Sequence, residues 1–206
     1  MKKGIVLALC ICLIIGICGC SCSKNTEKNA SLTTTGTETG ITINNTPICL
    51  GHTYSEYVKD YPNSEITIFD KDITTVVKPE DTADTTVFSN ACHIKYNDKR
   101  QLSVEGTPKE NDTYGDIIAN KIGVNLSNGE DVTITIGDKK ITKDTNINDI
   151  KQILKDLGAE TIYENSYGES PFTHQSCSYK FNNLYYLIMG VDGTNDANII
   201  SISTER

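Results

Sequence analysis

The chain has 206 residues, eight cysteines, no tryptophan and a net charge of −8 at neutral pH. An acidic surface repels polyanions, which argues against nucleic acid and against adhesion to anionic lipid or wall polymers. Its apolar content is enough for one core or two small ones.

At the N-terminus, Lys2 and Lys3 precede an apolar run from Gly4 to Gly19, followed by Cys20-Ser21-Cys22. At about 1.5 Å per residue this run covers roughly 24 Å, less than the ~30 Å hydrocarbon core of a bilayer. It therefore reads as an export signal rather than a spanning helix. The small residue Gly19 stands directly before Cys20. Cys18 follows the bulky Ile17, and Cys22 has Gly19 three positions before it, where an apolar residue is wanted.

The segment Ile17-Cys18-Gly19-Cys20 thus resembles the bacterial lipoprotein signal. The resemblance implies cleavage after Gly19, a diacylglyceryl group on the Cys20 thiol, and Cys20 as the mature N-terminus. A lipid with two acyl chains suffices for stable attachment. The implied location is extracytoplasmic, on the cell membrane. The Lys-, Ile- and Asn-rich composition suits an AT-rich genome, and so the surface of a low-GC Gram-positive bacterium. Loss of residues 1–19 removes two lysines and no acid, which takes the charge to −10.

Residues 20–40 hold the lipidated cysteine and a Thr/Ser-rich stretch with a single large apolar residue, Leu32. Such a stretch cannot bury enough surface to offset its ordering entropy, and it reads as a tether with a mean reach of about 25 Å. A glycan-bearing stalk is the other reading of its Ser and Thr content.

Residues 41–206 contain a weak internal repeat. Cys92-His-Ile-Lys95-Tyr96-Asn97, Val104-Glu-Gly-Thr107 and Ile117-Ile118 recur in order as Cys177-Ser-Tyr-Lys180-Phe181-Asn182, Val191-Asp-Gly-Thr194 and Ile199-Ile200. Each half also carries a helix signal. Thr53-Tyr-Ser-Glu56 has the form of a capping box, and Tyr54, Tyr57, Val58 and Tyr61 share a face before Pro62. Asn146-Ile-Asn-Asp149 opens a second helix with Ile147, Ile150, Ile153, Leu154 and Leu157 on one stripe and Gly158 as a C-cap.

Strands are expected before each helix, at Ile41–Ile43 (extending as far as Leu50) and Val132–Ile136. More are expected after each helix. In the first half these are Ile66–Phe69, Ile73–Val77, Thr86–Tyr96, Gln101–Glu105 and Ile117–Val124. In the second they are Glu160–Glu164, Cys177–Asn182, Tyr185–Val191 and Asn198–Ser203. Asn97-Asp98, Gly137-Asp138 and Asn182-Asn183 supply reversals. The predicted fold class is α+β: tandem duplicated β-α-β(n) units over 41–128 and 129–206, mostly antiparallel sheet with one helix per repeat. By element order alone, this looks like the double-module architecture of the beta-lactamase inhibitor protein.

The cysteines and histidines are the candidates for chemistry. Cys92 and Cys177 are repeat-equivalent, and two readings stand for them: a disulfide between the halves, or buried free thiols. The pairs Cys49/His52, Cys92/His93 and His174/Cys177 have zinc-like ligand types. Adjacent strand residues point to opposite faces, however, so Cys92 and His93 cannot share an ion. No metal ligand set and no cofactor are assigned, and Asp192-Gly-Thr-Asn-Asp196 reads as a turn. No nucleophile elbow, zinc-protease motif or phosphate loop is present.

The tyrosines suit recognition, although core packing is the preferred reading for them. Tyr185 and Tyr186 must face opposite sides of their sheet. The expected protein is a non-catalytic, lipid-anchored binding or interaction module. Its partner would be an unknown protein, peptide or envelope component, and the sheet face left bare by the helices its surface. The alternative is an envelope metal-binding protein or hydrolase using the Cys/His positions.

Overall fold

Thr53 starts the first helix, α1 (Tyr54–Asp60), as the sequence predicts. Its hydroxyl accepts the Glu56 amide while the Glu56 carboxylate accepts the Thr53 amide at 2.8 Å, a reciprocal capping box. The second helix, α2 (Ile147–Asp156), starts at Asn146, whose side-chain oxygen accepts the Asp149 amide at 2.9 Å. It buries Ile147, Ile150 and Leu154. The computed structural model describes residues 36–96, 99–126, 132–168, 173–191 and 197–206. The signal, Cys20, most of the tether, the Asn97-Asp98 reversal and the Asp192–Asp196 turn lie outside the described residues.

The strands are β1 (Thr37–Ile43), β2 (Thr46–Leu50), β3 (Glu65–Asp70), β4 (Ile73–Val77), β5 (Ser89–Tyr96), β6 (Lys99–Glu105) and β7 (Lys121–Asn125) in the first half. The second half has β8 (Val132–Ile136), β9 (Lys139–Ile141), β10 (Glu160–Tyr167), β11 (His174–Phe181), β12 (Leu184–Val191) and β13 (Ala197–Ser203). They form a four-stranded sheet in the order β2-β1-β8-β9 and a nine-stranded sheet in the order β10-β11-β12-β13-β7-β6-β5-β3-β4. Neighbours pair antiparallel throughout. Among the described residues the architecture is mostly antiparallel sheet with two helices.

The strand expected from Thr86 begins only at Ser89, and three larger expectations differ from the structure. The single strand expected at Ile41, running toward Leu50, is a hairpin: Asn44 and Asn45 both take positive φ (47° and 63°) and reverse the chain between β1 and β2. The folded part also begins before residue 41. Thr39 is buried and its hydroxyl donates to the Ile48 carbonyl at 2.7 Å, so the last part of the expected tether is strand. Finally, Ile117 and Ile118 are not in a strand. They follow a 3-10 turn over Tyr114–Asp116, and the Ile117 carbonyl accepts the amide of Tyr54 at the start of α1. The Asn182-Asn183 reversal is as expected, with both residues at positive φ.

One glycine position is dictated by close approach. Gly40 lies at a bulge in β1 with φ +76°, and a Cβ there would stand 2.1 Å from the Thr135 carbonyl oxygen on β8.

A single core lies between the small sheet with the helices on one side and the inner face of the large sheet on the other. Across the large sheet, Ile66, Cys92, Val104, Ile122, Ile202, Tyr186 and Tyr179 stand opposite one another on consecutive paired strands, all of them buried. Tyr54 is fully buried against this layer. Its hydroxyl donates to Asn90 Oδ1 at 2.7 Å and accepts the Gly106 amide at 2.9 Å. The Tyr57 hydroxyl donates to the Cys49 carbonyl. The helix tyrosines are therefore core residues with satisfied polar ends, and burial pushes the Tyr54 and Tyr57 hydroxyls up from their ordinary value.

The disulfide between Cys92 and Cys177 does not form, and both are buried free thiols. Cys92 is on β5 and Cys177 on β11, with β6, β7, β13 and β12 between them. Five strand spacings of about 4.8 Å put them roughly 24 Å apart, against the ~7 Å reach of a disulfide's Cα atoms. Burial pushes the Cys92 thiol up to about 12, so it is an inert apolar side chain. Cys49 is disulfide-bonded.

Candidate functional site

Both helices and the small sheet cover one face of the large sheet. On the opposite face, alternation brings out the other set of side chains. Glu65, His93, Ser103, Gly123, Ser201, Leu187, Ser178 and Tyr163 stand opposite one another in a single row from β3 to β10. The middle of this row is small (Ser103, Gly123, Ser201) and the ends are large. The result is a trough with a low floor.

Two depressions of about 380 Å³ each lie in the trough and share Lys121 and Ser201. One runs toward Tyr163, Tyr185 and Leu187. The other runs toward Arg100, Ser103 and Met189. A further hollow of about 360 Å³ continues past Lys121 to Phe88 and Asn90. Lys121 therefore stands where all three meet, and its Nζ is 2.8 Å from Glu105 Oε2.

Aromatic side chains flank the floor. On the β3 side Phe69 meets Phe88 edge to face at 5.5 Å, and Phe88 is 79 % exposed. On the β10 side the Tyr163 hydroxyl is 3.3 Å from Ser176 Oγ, and Lys180 Nζ lies 5.4 Å from the Tyr185 ring centroid. Tyr167 stacks on His174 at 5.2 Å. Tyr185 faces the trough and Tyr186 the core, as strand alternation requires.

Comparison with protein-family models, with curated proteins and with solved structures finds no match. What the chain does must therefore be argued from its own side chains.

The most reactive-looking arrangement is His93 Nδ1 at 3.0 Å from Ser103 Oγ, with Glu65 across from His93 on β3. Burial first, and then the Arg100 guanidinium, hold the imidazole down at about 4, so it is neutral at pH 7. A neutral imidazole beside a hydroxyl has the makings of a base and nucleophile. β5 and β6 are each paired on both sides, with an irregularity between Ile94 and Lys95, so most of their amides are committed to the ladder. The Glu65 carboxylate is bound by Lys95. The pair lies in the floor of the trough.

The other sequence candidates do not converge. Cys92 is on the inner face and His93 on the outer, as adjacent strand positions must be. His174 is exposed beside Tyr167, whereas Cys177 is in the core. The His52 ring packs against Tyr57 at 5.7 Å. Among the described residues no three His, Cys, Asp or Glu side chains are placed to hold a metal ion. No described helix is long and apolar enough to cross a membrane.

The trough floor was not apparent in the sequence. Its only local signal is period-two placement of small residues in β6, β7 and β13, and that pattern has meaning only once those strands are known to be neighbours.

Proposed function

We propose that this protein is a lipid-anchored extracytoplasmic binding module that recognises another protein, peptide or envelope component through the trough on the bare face of its large sheet. The observation that carries the reading is the division of the sheet into two unlike faces. One is covered by both described helices and by the second sheet. The other is left open, with a small-residue floor between aromatic walls. A merely solvated face has no need of such relief, whereas rigid tyrosine and phenylalanine walls suit recognition because they offer area at low entropic cost. The anchor rests on the signal-like start and on Cys20.

We read the two halves as copies of one β-α-β(n) unit, fused in tandem. In each half a hairpin leads into a helix and then into antiparallel strands. The strand order β10-β11-β12-β13 mirrors β3-β5-β6-β7 about the β13–β7 junction, and β1 and β8 meet at the middle of the small sheet. β4 is then an added strand on the first unit. A pseudo-twofold through the Gly123–Ser201 pair would relate Cys92 to Cys177, as the sequence repeat does, but it sets Val104 against Ile188 and Ile122 against Ile200, so the Val191 and Ile117-Ile118 segments of that repeat fall out of register. The likeness to the double-module inhibitor architecture rests on this element order.

In-cell photocrosslinking tests the binding reading. A crosslinker at Tyr185 on the wall of the trough should give a discrete adduct, and one at Gln152 on the exposed side of α2 should not. Equal labelling from both positions would defeat it. For the anchor, Cys20→Ala should release the protein or leave its signal uncleaved. Unchanged attachment and processing would defeat lipidation.

A further inference from the structure

The two edges of the large sheet are defended differently. At one end, β10 carries a bulge between Thr161 and Tyr163 and two glutamates, Glu160 and Glu164. Lys151 and Lys155 of α2 hold Glu164 at 3.2 and 2.7 Å. Bulges and charges of this kind keep an edge from recruiting further strands. At the other end, β4 reads Ile73-Thr-Thr-Val-Val77. It has no charge and no proline, and it pairs with β3 without a bulge. All five residues are β-branched, Ile73 is 67 % exposed and Val76 is 59 % exposed. Among the described residues nothing pairs with its outer side.

Such an edge is a template for another strand, and its sequence specifies which. In an antiparallel pairing of β4 with its own copy, only the register centred on Thr75 engages all five residues. Ile73 then faces Val77, Thr74 faces Val76, and Thr75 faces itself. That same register brings exposed Asp72, in the reversal before β4, to the end of the ladder beside exposed Lys78 of the copy, just past its β4, twice by symmetry. Opposite charges directly across strands stabilise a pairing, and like charges oppose it. We infer that β4 pairs antiparallel with β4 of a second copy of this chain about a twofold at Thr75, joining the two large sheets edge to edge. The inference does not depend on what occupies the trough. Five residue pairs fall short of the ~1,000 Å² of a standard stable interface, so the dimer is a weak one that local crowding would promote.

The test is sedimentation velocity of the purified full chain over a concentration series up to about 1 mM, the range in which weak contacts are populated. The wild type should show a concentration-dependent monomer–dimer equilibrium. Thr75→Lys puts two ammonium groups face to face and should weaken association at least about five-fold, as should Thr75→Glu. An equimolar mixture of the two should recover it. Asp72→Lys should likewise weaken the dimer and the Asp72→Lys/Lys78→Asp pair restore it. These positions are exposed, so thermal unfolding of each variant should match the wild type and separate lost pairing from lost folding. A chain that stays monomeric throughout, a dimer indifferent to Thr75→Lys, or a charge-swapped mixture that fails to reassociate would each overturn the inference.

Discussion

Gly123 on β7 and Ser201 on β13 stand directly opposite each other where the strands of the first half meet those of the second. Both turn toward the bare face. Their small size sets the depth of the trough, because any larger pair at this junction would fill the passage between its two depressions.

Substitution at Gly123 separates binding from folding. A Cβ there would meet nothing nearer than Ser201 Oγ at 3.8 Å and the Ser103 carbonyl at 4.0 Å. Gly123→Ala should therefore leave stability unchanged or raise it by about 0.5–1 kcal/mol, through a less flexible unfolded chain. Gly123→Arg should fold with a similar denaturation midpoint and lose the Tyr185 crosslink. A folded arginine variant that crosslinks as well as the wild type would show that the trough is not the contact surface.

The His93 imidazole gives the fold a defined acid sensitivity. Its folded value of about 4 lies below its ordinary value of 6.5, chiefly through burial and then through Arg100. Lys95 also disfavours the charged form and Glu65 favours it. In the window between the two values the unfolded chain takes up a proton that the folded chain refuses. Stability from this group is therefore complete above about pH 6.5 and declines as pH falls toward 4, by on the order of 2–3 kcal/mol. His93→Gln keeps a hydrogen-bonding partner for Ser103 but cannot titrate. Urea midpoints measured across that window should fall in the wild type and stay flatter in the variant. Parallel declines would mean that the imidazole is not held neutral.

The Tyr54 hydroxyl ties three segments together, linking α1 to Asn90 on β5 and to the Gly106 amide at the end of β6. Tyr54→Phe keeps the ring but leaves a buried amide and a side-chain carbonyl short of a partner. The expected loss is about 1–3 kcal/mol, read from chemical denaturation. A loss comparable to that from an exposed tyrosine such as Tyr167→Phe would indicate that water replaces the hydroxyl.

Local chemistry made much of this fold readable before any coordinates. The Thr53–Glu56 box, the Asn146 cap and the Asn182-Asn183 reversal depend on contacts within a few residues, and they form where the sequence puts them. The opposite orientations of Cys92 and His93, and of Tyr185 and Tyr186, follow from the two-residue period of a strand. The Asn44-Asn45 reversal carries the same local signal as Asn182-Asn183, but its flanking apolar segments, Ile41-Thr-Ile43 and Ile48-Cys-Leu50, are each too short to read as a strand until they pair. The Ile117-Ile118 pair has the composition of a strand, but it is claimed instead by the connection to α1.

What the sequence by itself determined is both helices, most of the strands and the face each strand residue takes, since caps, turns and alternation act over short distances along the chain. Which strands become neighbours was settled only in the tertiary structure. That choice separates Cys92 from Cys177, places Gly123 beside Ser201 and leaves β4 at an open edge. The physical reason is that register and strand order depend on burying one continuous core, a condition that every strand must meet together and that no single segment encodes.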